Sequence, residues 1–362
     1  MADYGRDGIS AYPASTCGLG TSAFASWLPL RNNSADLILM KPDHSSAVGP
    51  RRHFLKSAAL ALGTAVTLDR LPSAAAAEPA KSEPFRFALN AATVRGQKLG
   101  PAEQLATAAK AGYDGYEFWT GDLAKLAESG GALKDLRKRS EELGIKIING
   151  IGFAAWAVDD DAQRAKGLEQ MKKDMDLMAQ VGGTHIAAPP AGVSKPGVTL
   201  NLDRAAERYR AVLELGRQCG VVPMLEFWGA SANLNSVAQA TYVAAQAGHP
   251  DACVLADVFH MYRGGSSPAA LRLLGRSALR CFHLNDYPAQ PPRETIKDSD
   301  RIWPGDGIAP LKEILAALAA NDCRPMLSLE LFNAEYWKLP ALAAAQIGLG
   351  KMKAVVATAG LA

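Results

Sequence analysis

Between residues 85 and 358 one rhythm repeats eight times: a short apolar run, then a longer stretch with helical spacing. The apolar runs occupy 85–90, 115–119, 146–152, 184–189, 222–228, 253–259, 280–286 and 325–332. Helical spacing fills 101–112, 132–143, 161–181, 203–219, 236–247, 268–276, 309–320 and 339–358. Gly112, Gly144, Gly182, Gly220, Gly248 and Asn321 stand where helix C-caps belong. Eight strand–helix units over about 275 residues predict an α/β fold, a (β/α)8 TIM barrel, as one domain over 78–362. The competing architecture, a doubly wound sheet, carries a Gly-x-Gly-x-x-Gly loop after its first strand, and no such loop follows residue 90.

The barrel has an unusual preface. Residues 51–56 read Arg-Arg-His-Phe-Leu-Lys, an apolar run follows over 57–68, and small residues follow over 73–77. A charged start, a short apolar segment and an Ala-x-Ala site form the pattern of a signal peptide. The Arg51-Arg52 pair resembles a twin-arginine export signal, so residues 1–77 are read as an upstream segment and a removable address. Met40 would give that address a more usual length. The apolar run is about 12 residues, short of the ~20 that span a bilayer. No later stretch reaches that length without a charge or a turn. The expectation is a periplasmic or otherwise extracytoplasmic protein with no stable membrane anchor.

Beyond the preface, residues 78–362 carry 32 Lys+Arg against 31 Asp+Glu, and only four histidines. Near-neutrality argues against nucleic acid, which demands a basic footprint. The cysteines form no C-x-x-C pair, and Cys253 and Cys281 fall in apolar runs, so buried thiols are expected.

Barrel active sites gather at the C-terminal ends of the strands. Four consecutive runs end there on an ionisable residue: Glu226, Asp257, His283 and Glu330. Each shares its inward-facing parity with small or apolar residues two and four positions back. Three carboxylates so confined resist ionising together, and a divalent cation relieves that. Three oxygen donors and one imidazole suit one Mn²⁺ or Mg²⁺ best, with Co²⁺ or Zn²⁺ as alternatives.

These residues, with His260 three positions after Asp257, resemble the metal set of the xylose isomerase-like TIM barrels, the sugar phosphate isomerase/epimerase superfamily. The likeness spans 85–358. The segments His283-Leu284-Asn285-Asp286, Asp300-Arg301-Ile302-Trp303-Pro304-Gly305-Asp306-Gly307 and Ser328-Leu329-Glu330-Leu331-Phe332 look most like inosose (2-keto-myo-inositol) isomerases. The resemblance implies acid/base work by Glu226 and Glu330 on a keto substrate, and a substrate hydroxyl held by His260, unless that His only packs beside strand 6. Ketose 3-epimerases of the superfamily carry an acid six positions after the strand-5 glutamate and an Arg six after the strand-7 histidine. Here Ala232 and Ala289 stand there, which weakens a ketohexose epimerase reading.

The remaining candidates ring the same end. Trp119, Trp156, Trp228, Trp303 and Trp337 all fall at or after strand ends, and aromatic faces suit the C–H face of a sugar or cyclitol ring. Glu117 is placed at the rim with Asn90, either on a substrate hydroxyl or in a structural ion pair. Asp286 joins the substrate-binding set. Arg301 either holds the 304–307 loop or reaches the ligand. Without a phosphate cradle, the expected partner is an unphosphorylated sugar or cyclitol, and a homo-oligomer is compatible with the chain. Two other readings stay open: a metal-dependent keto-sugar or inosose dehydratase on the same barrel, and an exported sugar-binding protein without catalysis. An apurinic-site endonuclease, which needs three zinc ions and many histidines, is disfavoured.

Overall fold

The computed structural model describes residues 84–361; the 1–77 segment and its export signal lie outside the described residues. Eight parallel strands close into a barrel in sequence order. They are β1 (Phe87–Asn90), β2 (Gly115–Trp119), β3 (Lys146–Ile151), β4 (His185–Ala188), β5 (Val222–Glu226), β6 (Val254–Asp257), β7 (Leu279–His283) and β8 (Met326–Leu329). The ring closes where β8 pairs with β1, Leu329 opposite Leu89.

Helices pack outside: α1 (Pro101–Ala111), α2 (Thr120–Glu128), α3 (Leu133–Leu143), α4 (Asp161–Gln180), α5 (Leu202–Cys219), α6 (Val237–Gln246), α7 (Val258–Arg263), α8 (Leu311–Ala320) and α9 (Ala341–Thr358). Helix α5 shows the local logic. Asn201 caps its start by accepting from Arg204 N at 3.0 Å, and left-handed Gly220 ends it. Ala205, Ala206, Tyr209, Val212, Leu213 and Gly216 make its buried stripe. The Tyr209 hydroxyl lies within donating distance of the carbonyls of Pro223 (2.8 Å) and Cys253 (2.9 Å), tying α5 to β5 and to the start of β6.

The apolar residues divide into two cores. The larger lies between strands and helices. The smaller holds Ile151, Ala187, Met224, Cys253, Leu255 and Cys281. These residues share the inward parity, so they plug the barrel and leave the strand ends above them for polar groups. Cys253 and Cys281 are buried free thiols, as expected.

Several strands, β5, β7 and β8 among them, end two or three residues before the apolar runs do, and three further differences have a local cause. The sixth strand stops at Asp257, not Phe259, because the Asp257 carboxylate accepts from His260 N at 2.8 Å and starts α7 at once. The 268–276 stretch shrinks to a 3-10 turn, Pro268–Leu273, begun by Pro268 and capped by Ser267. Helix α2 was not foreseen; it is short, and only Thr120 and Leu123 are buried.

Gly216 supplies a test of the packing. A Cβ there would lie 2.5 Å from the Val221 carbonyl and 2.6 Å from Pro223 Cδ. Helix propensity alone would favour alanine by about 1 kcal/mol, but overpacking against backbone costs about 1–3 kcal/mol. Gly216→Ala should therefore lower the thermal midpoint; a rise would show that α5 is not seated this closely.

Candidate metal and acid–base site

Glu226, Asp257 and His283 are the last residues of β5, β6 and β7, and Glu330 follows β8 directly. Asp257 sits level with His283. Glu226 pairs with Leu255, two residues before Asp257, and His283 pairs with Ser328, two before Glu330. Even steps preserve parity, so all four point inward. One donor atom each from Asp257, His283 and Glu330 lie within 4.8 Å of one another, all buried. His283 Nδ1 is 3.1 Å from Glu330 Oε2 and 3.5 Å from Asp257 Oδ2. Glu226 does not fall inside that tight triad, but it feels the charges of Glu330, His283 and Asp257.

The electrostatics follow from confinement. Burial, then the Glu330 charge, push the Glu226 carboxyl up to about 8. Asp257 goes the other way: burial opposes ionisation, but Arg301 and His260 hold its carboxyl well below the usual range. His283 is raised because Glu330 and Glu117 outweigh its burial. Burial lowers His260 against the pull of Asp257. His283 Nδ1 is a buried nitrogen without a hydrogen-bond partner among the described residues, facing two carboxylates. This buried set of two oxygens and one imidazole nitrogen, with Glu226 adjoining, fits a divalent cation.

The other expected site residues divide. Arg301 is buried in the centre: Nη1 donates to Asp257 Oδ2 (2.7 Å) and Glu330 Oε2 (2.9 Å), and Nη2 to Asp298 Oδ1 (2.6 Å). Its backbone carbonyl accepts from Asn333 Nδ2 at 3.1 Å. His260 is buried, with Nε2 3.2 Å from Arg301 Nη2 and Nδ1 without a partner among the described residues. Trp119 is half-buried, edge-on to Phe153 (5.3 Å between centroids) and Phe332 (6.3 Å). Trp228 lies 6.2 Å from Phe153.

Two placements need correction. Glu117 is not at the rim; it is 0% exposed inside the barrel, and its carboxylate accepts from Asn90, Asn149 and Ser328 and faces His283. Asp286, placed in the substrate-binding set, is instead taken up by its own loop. Its carboxylate accepts from the backbone N–H groups of Tyr287, Gly305, Gly307 and Ala309, clamping the loop after β7. The tryptophans also separate. Trp156 is fully buried, tilted against Tyr209 and donating to the Pro189 carbonyl, so it packs the outer core. Trp303 is buried and stacks on Tyr336 at 4.1 Å.

Sequence reasoning missed Phe153, Phe332 and Asp298. Phe153 and Phe332 stand two positions after inward residues Ile151 and Glu330, so parity could have found them. Asp298 is fixed by loop conformation, which no period announces.

The profile of the xylose isomerase-like TIM barrel family matches residues 105–355. The chain belongs to that family. Among its relatives, an inosose isomerase of Bacillus velezensis is 25% identical over 236 residues, 64% of this chain and 83% of that protein. A 3-dehydroshikimate dehydratase of Pseudomonas putida is 26% identical over 249 residues, 68% of this chain but 38% of that longer protein. Among solved structures, the IolI protein with a binding zinc atom superposes with a TM-score of 0.70 at 24% identity, covering 76% of this chain and 99% of that one. An L-ribulose 3-epimerase gives 0.62 at 20%, covering 76% and 96%. These likenesses support the barrel fold.

Glu226 generates a pH prediction for the metal-free protein. Its folded pKa stands near 8 against an ordinary 4.5. The folded state therefore binds the proton more tightly than the unfolded chain. That contribution is fully present below pH 4.5 and is lost as pH climbs to about 8, on the order of several kcal/mol. In the variant Glu226→Gln the pH 5–8 decline in the denaturation midpoint should flatten; an unchanged slope would refute the assignment.

Proposed function

We propose that the protein is a divalent-metal-dependent isomerase or epimerase that moves a proton between carbons of a keto-sugar or keto-cyclitol through an enediolate. One observation carries this reading. Glu226 and Glu330 come from β5 and β8, the strands that flank the Asp257–His283 pair, and all four are buried at one end of the barrel.

Asp257, His283, Glu330 and Glu226 would hold the cation. When bound, it polarises the substrate carbonyl and stabilises developing negative charge on that oxygen. The two glutamates have unlike surroundings. Arg301 holds Glu330 by a charged hydrogen bond, whereas burial and the neighbouring carboxylates push the Glu226 carboxyl up in the metal-free protein. Glu330 and Glu226 would share the proton transfer, one as base and the other as acid, with roles exchanged in the reverse direction. His260 Nδ1 offers a hydrogen bond to a substrate hydroxyl. Trp119, Phe153 and Trp228 present an apolar wall to the C–H face of a ring. The inosose isomerase relatives support a cyclitol or sugar ketone as substrate.

A second reading draws on the 3-dehydroshikimate dehydratase relatives. The same base would start by removing the α-proton, and loss of a β-hydroxyl would complete dehydration. Both readings share the first step, so one experiment tests it. Metal-loaded protein in D2O, offered inososes, ketohexoses and 3-keto-sugars, should place deuterium α to the carbonyl, read by NMR. Glu330→Gln should slow incorporation about 10²–10⁴-fold with the thermal midpoint little changed. Chelation should abolish incorporation and Mn²⁺ restore it. No incorporation with any ketone would sink the reading. A new enone absorbance alongside deuterium would select the dehydratase.

The reading includes export of the folded, loaded protein through the Arg51-Arg52 signal. Arg51→Lys with Arg52→Lys should retain the full-length chain in the cytoplasm on cell fractionation. Equal amounts of the processed form outside would reject a twin-arginine route.

A further inference from the structure

The floor beneath the proposed metal centre contains a buried acid that neither catalysis nor substrate binding uses. Glu117 reaches from β2 across the barrel interior to His283 on β7. Its Oε1 accepts from Asn90 Nδ2 (3.3 Å) and from Ser328 Oγ. Its Oε2 accepts from Asn149 Nδ2 (2.7 Å) and faces His283 Nε2 at 3.2 Å. Four N–H or O–H groups from four different strands thus converge on two oxygens, with the Cys281 thiol also facing Oε2 at 3.9 Å. An ionised carboxylate is acceptor-only and offers about four lone-pair sites, so it satisfies all four at once. A glutamine could not: its NH2 would meet at least one of these donors head-on.

This arrangement decides where the His283 proton sits. Nε2 faces an acceptor whose other neighbours all donate, so Nε2 carries hydrogen. In the neutral imidazole Nδ1 is then a bare lone pair. It points at Glu330 Oε2 and Asp257 Oδ2, which are acceptors too. Arg301 Nη1 already donates to both oxygens, and a cation seated among the three, in place of a proton on Nδ1, is the arrangement that uses the Nδ1 lone pair.

We propose that Glu117 is a positioning residue that fixes His283 in the Nε2–H tautomer and so makes Nδ1 the metal-binding nitrogen. The inference rests on the metal-centre reading above and adds to it which nitrogen binds and what aims it. Carboxylates behind metal-bound histidines raise ligand basicity and hold ring orientation, and their loss typically costs 10–100-fold in metal affinity. The competing use of these atoms is a second cation site formed by Glu117, Cys281 and His283, whose donor atoms also lie within 4.8 Å.

Metal-stripped full-length protein should be titrated with Zn²⁺ alone by calorimetry, and its ¹⁵N-labelled histidines followed by NMR. The wild type should bind one equivalent, with His283 protonated on Nε2 and its Nδ1 resonance shifted by the metal. Glu117→Gln should bind 10–100-fold more weakly and lose the single tautomer. Ser328→Ala, which spares the Glu117–His283 contact, should stay within a few-fold of wild type and keep the tautomer. A wild-type His283 that is protonated on Nδ1 and binds through Nε2 would overturn the proposal without recourse to any variant. So would undiminished affinity in folded Glu117→Gln, or a second equivalent lost on Cys281→Ala. If the wild type binds no divalent ion, the metal-centre reading itself falls, and that result is separate from the others.

Discussion

Buried negative charge at one end of the barrel is the constraint on which the rest of the structure depends. Glu117, Glu226, Asp257 and Glu330 are all withdrawn from water within a few strand widths of each other. Each would carry a desolvation penalty of several kcal/mol if left unpaired. The chain answers each differently. Glu117 is saturated with hydrogen bonds. Asp257 takes Arg301, Asn285 and the start of α7. Glu330 shares Arg301. Glu226 keeps a proton near neutral pH. The four carboxylates are thus held in four different ways, since one guanidinium cannot serve every carboxylate.

The supporting elements follow from the same need. Arg301 must be delivered to the barrel axis from a loop, and the loop must hold still. Asp298 grips its second nitrogen, Asn333 its carbonyl, and the faces of Phe259 and Phe332 lie 4.7 and 5.3 Å from its guanidinium carbon. Asp286 gathers four backbone N–H groups of the same excursion. Gly307 has no room for a side chain there, because a Cβ would sit 2.2 Å from the Tyr287 carbonyl. The Pro304-Gly305-Asp306-Gly307 segment is in this sense part of the electrostatic machinery.

What the sequence revealed and what it hid divide along a physical line. Strand ends were legible because parity has a period of two and the barrel repeats eight times. Glu226, Asp257, His283 and Glu330 could be placed from the chain alone, helices α4 and α5 from their spacing and terminal glycines, and α9 from its spacing. Contacts across the barrel or between loops have no period. The same parity that turned Glu117 inward could not say that it would meet His283, five strands further along the chain. Nor could it show that Asp286 would turn back on its own loop, or that Trp156 would sink beneath the sheet against Tyr209. The Asp257 carboxylate also caps α7 and so ends β6, which makes one residue set both the site and the local fold.

The aromatic edge of the mouth has a stereochemical consequence. Trp119, Phe153 and Trp228 come from the ends of β2, β3 and β5, and Phe153 is 43% exposed. The charged groups come from β5 through β8. The opening is thus apolar on one flank and ionic on the other. If the proposed substrate is a ring with hydroxyls along one edge and C–H bonds on the opposite face, these two flanks would admit it in a single sense and so sort its prochiral faces on entry.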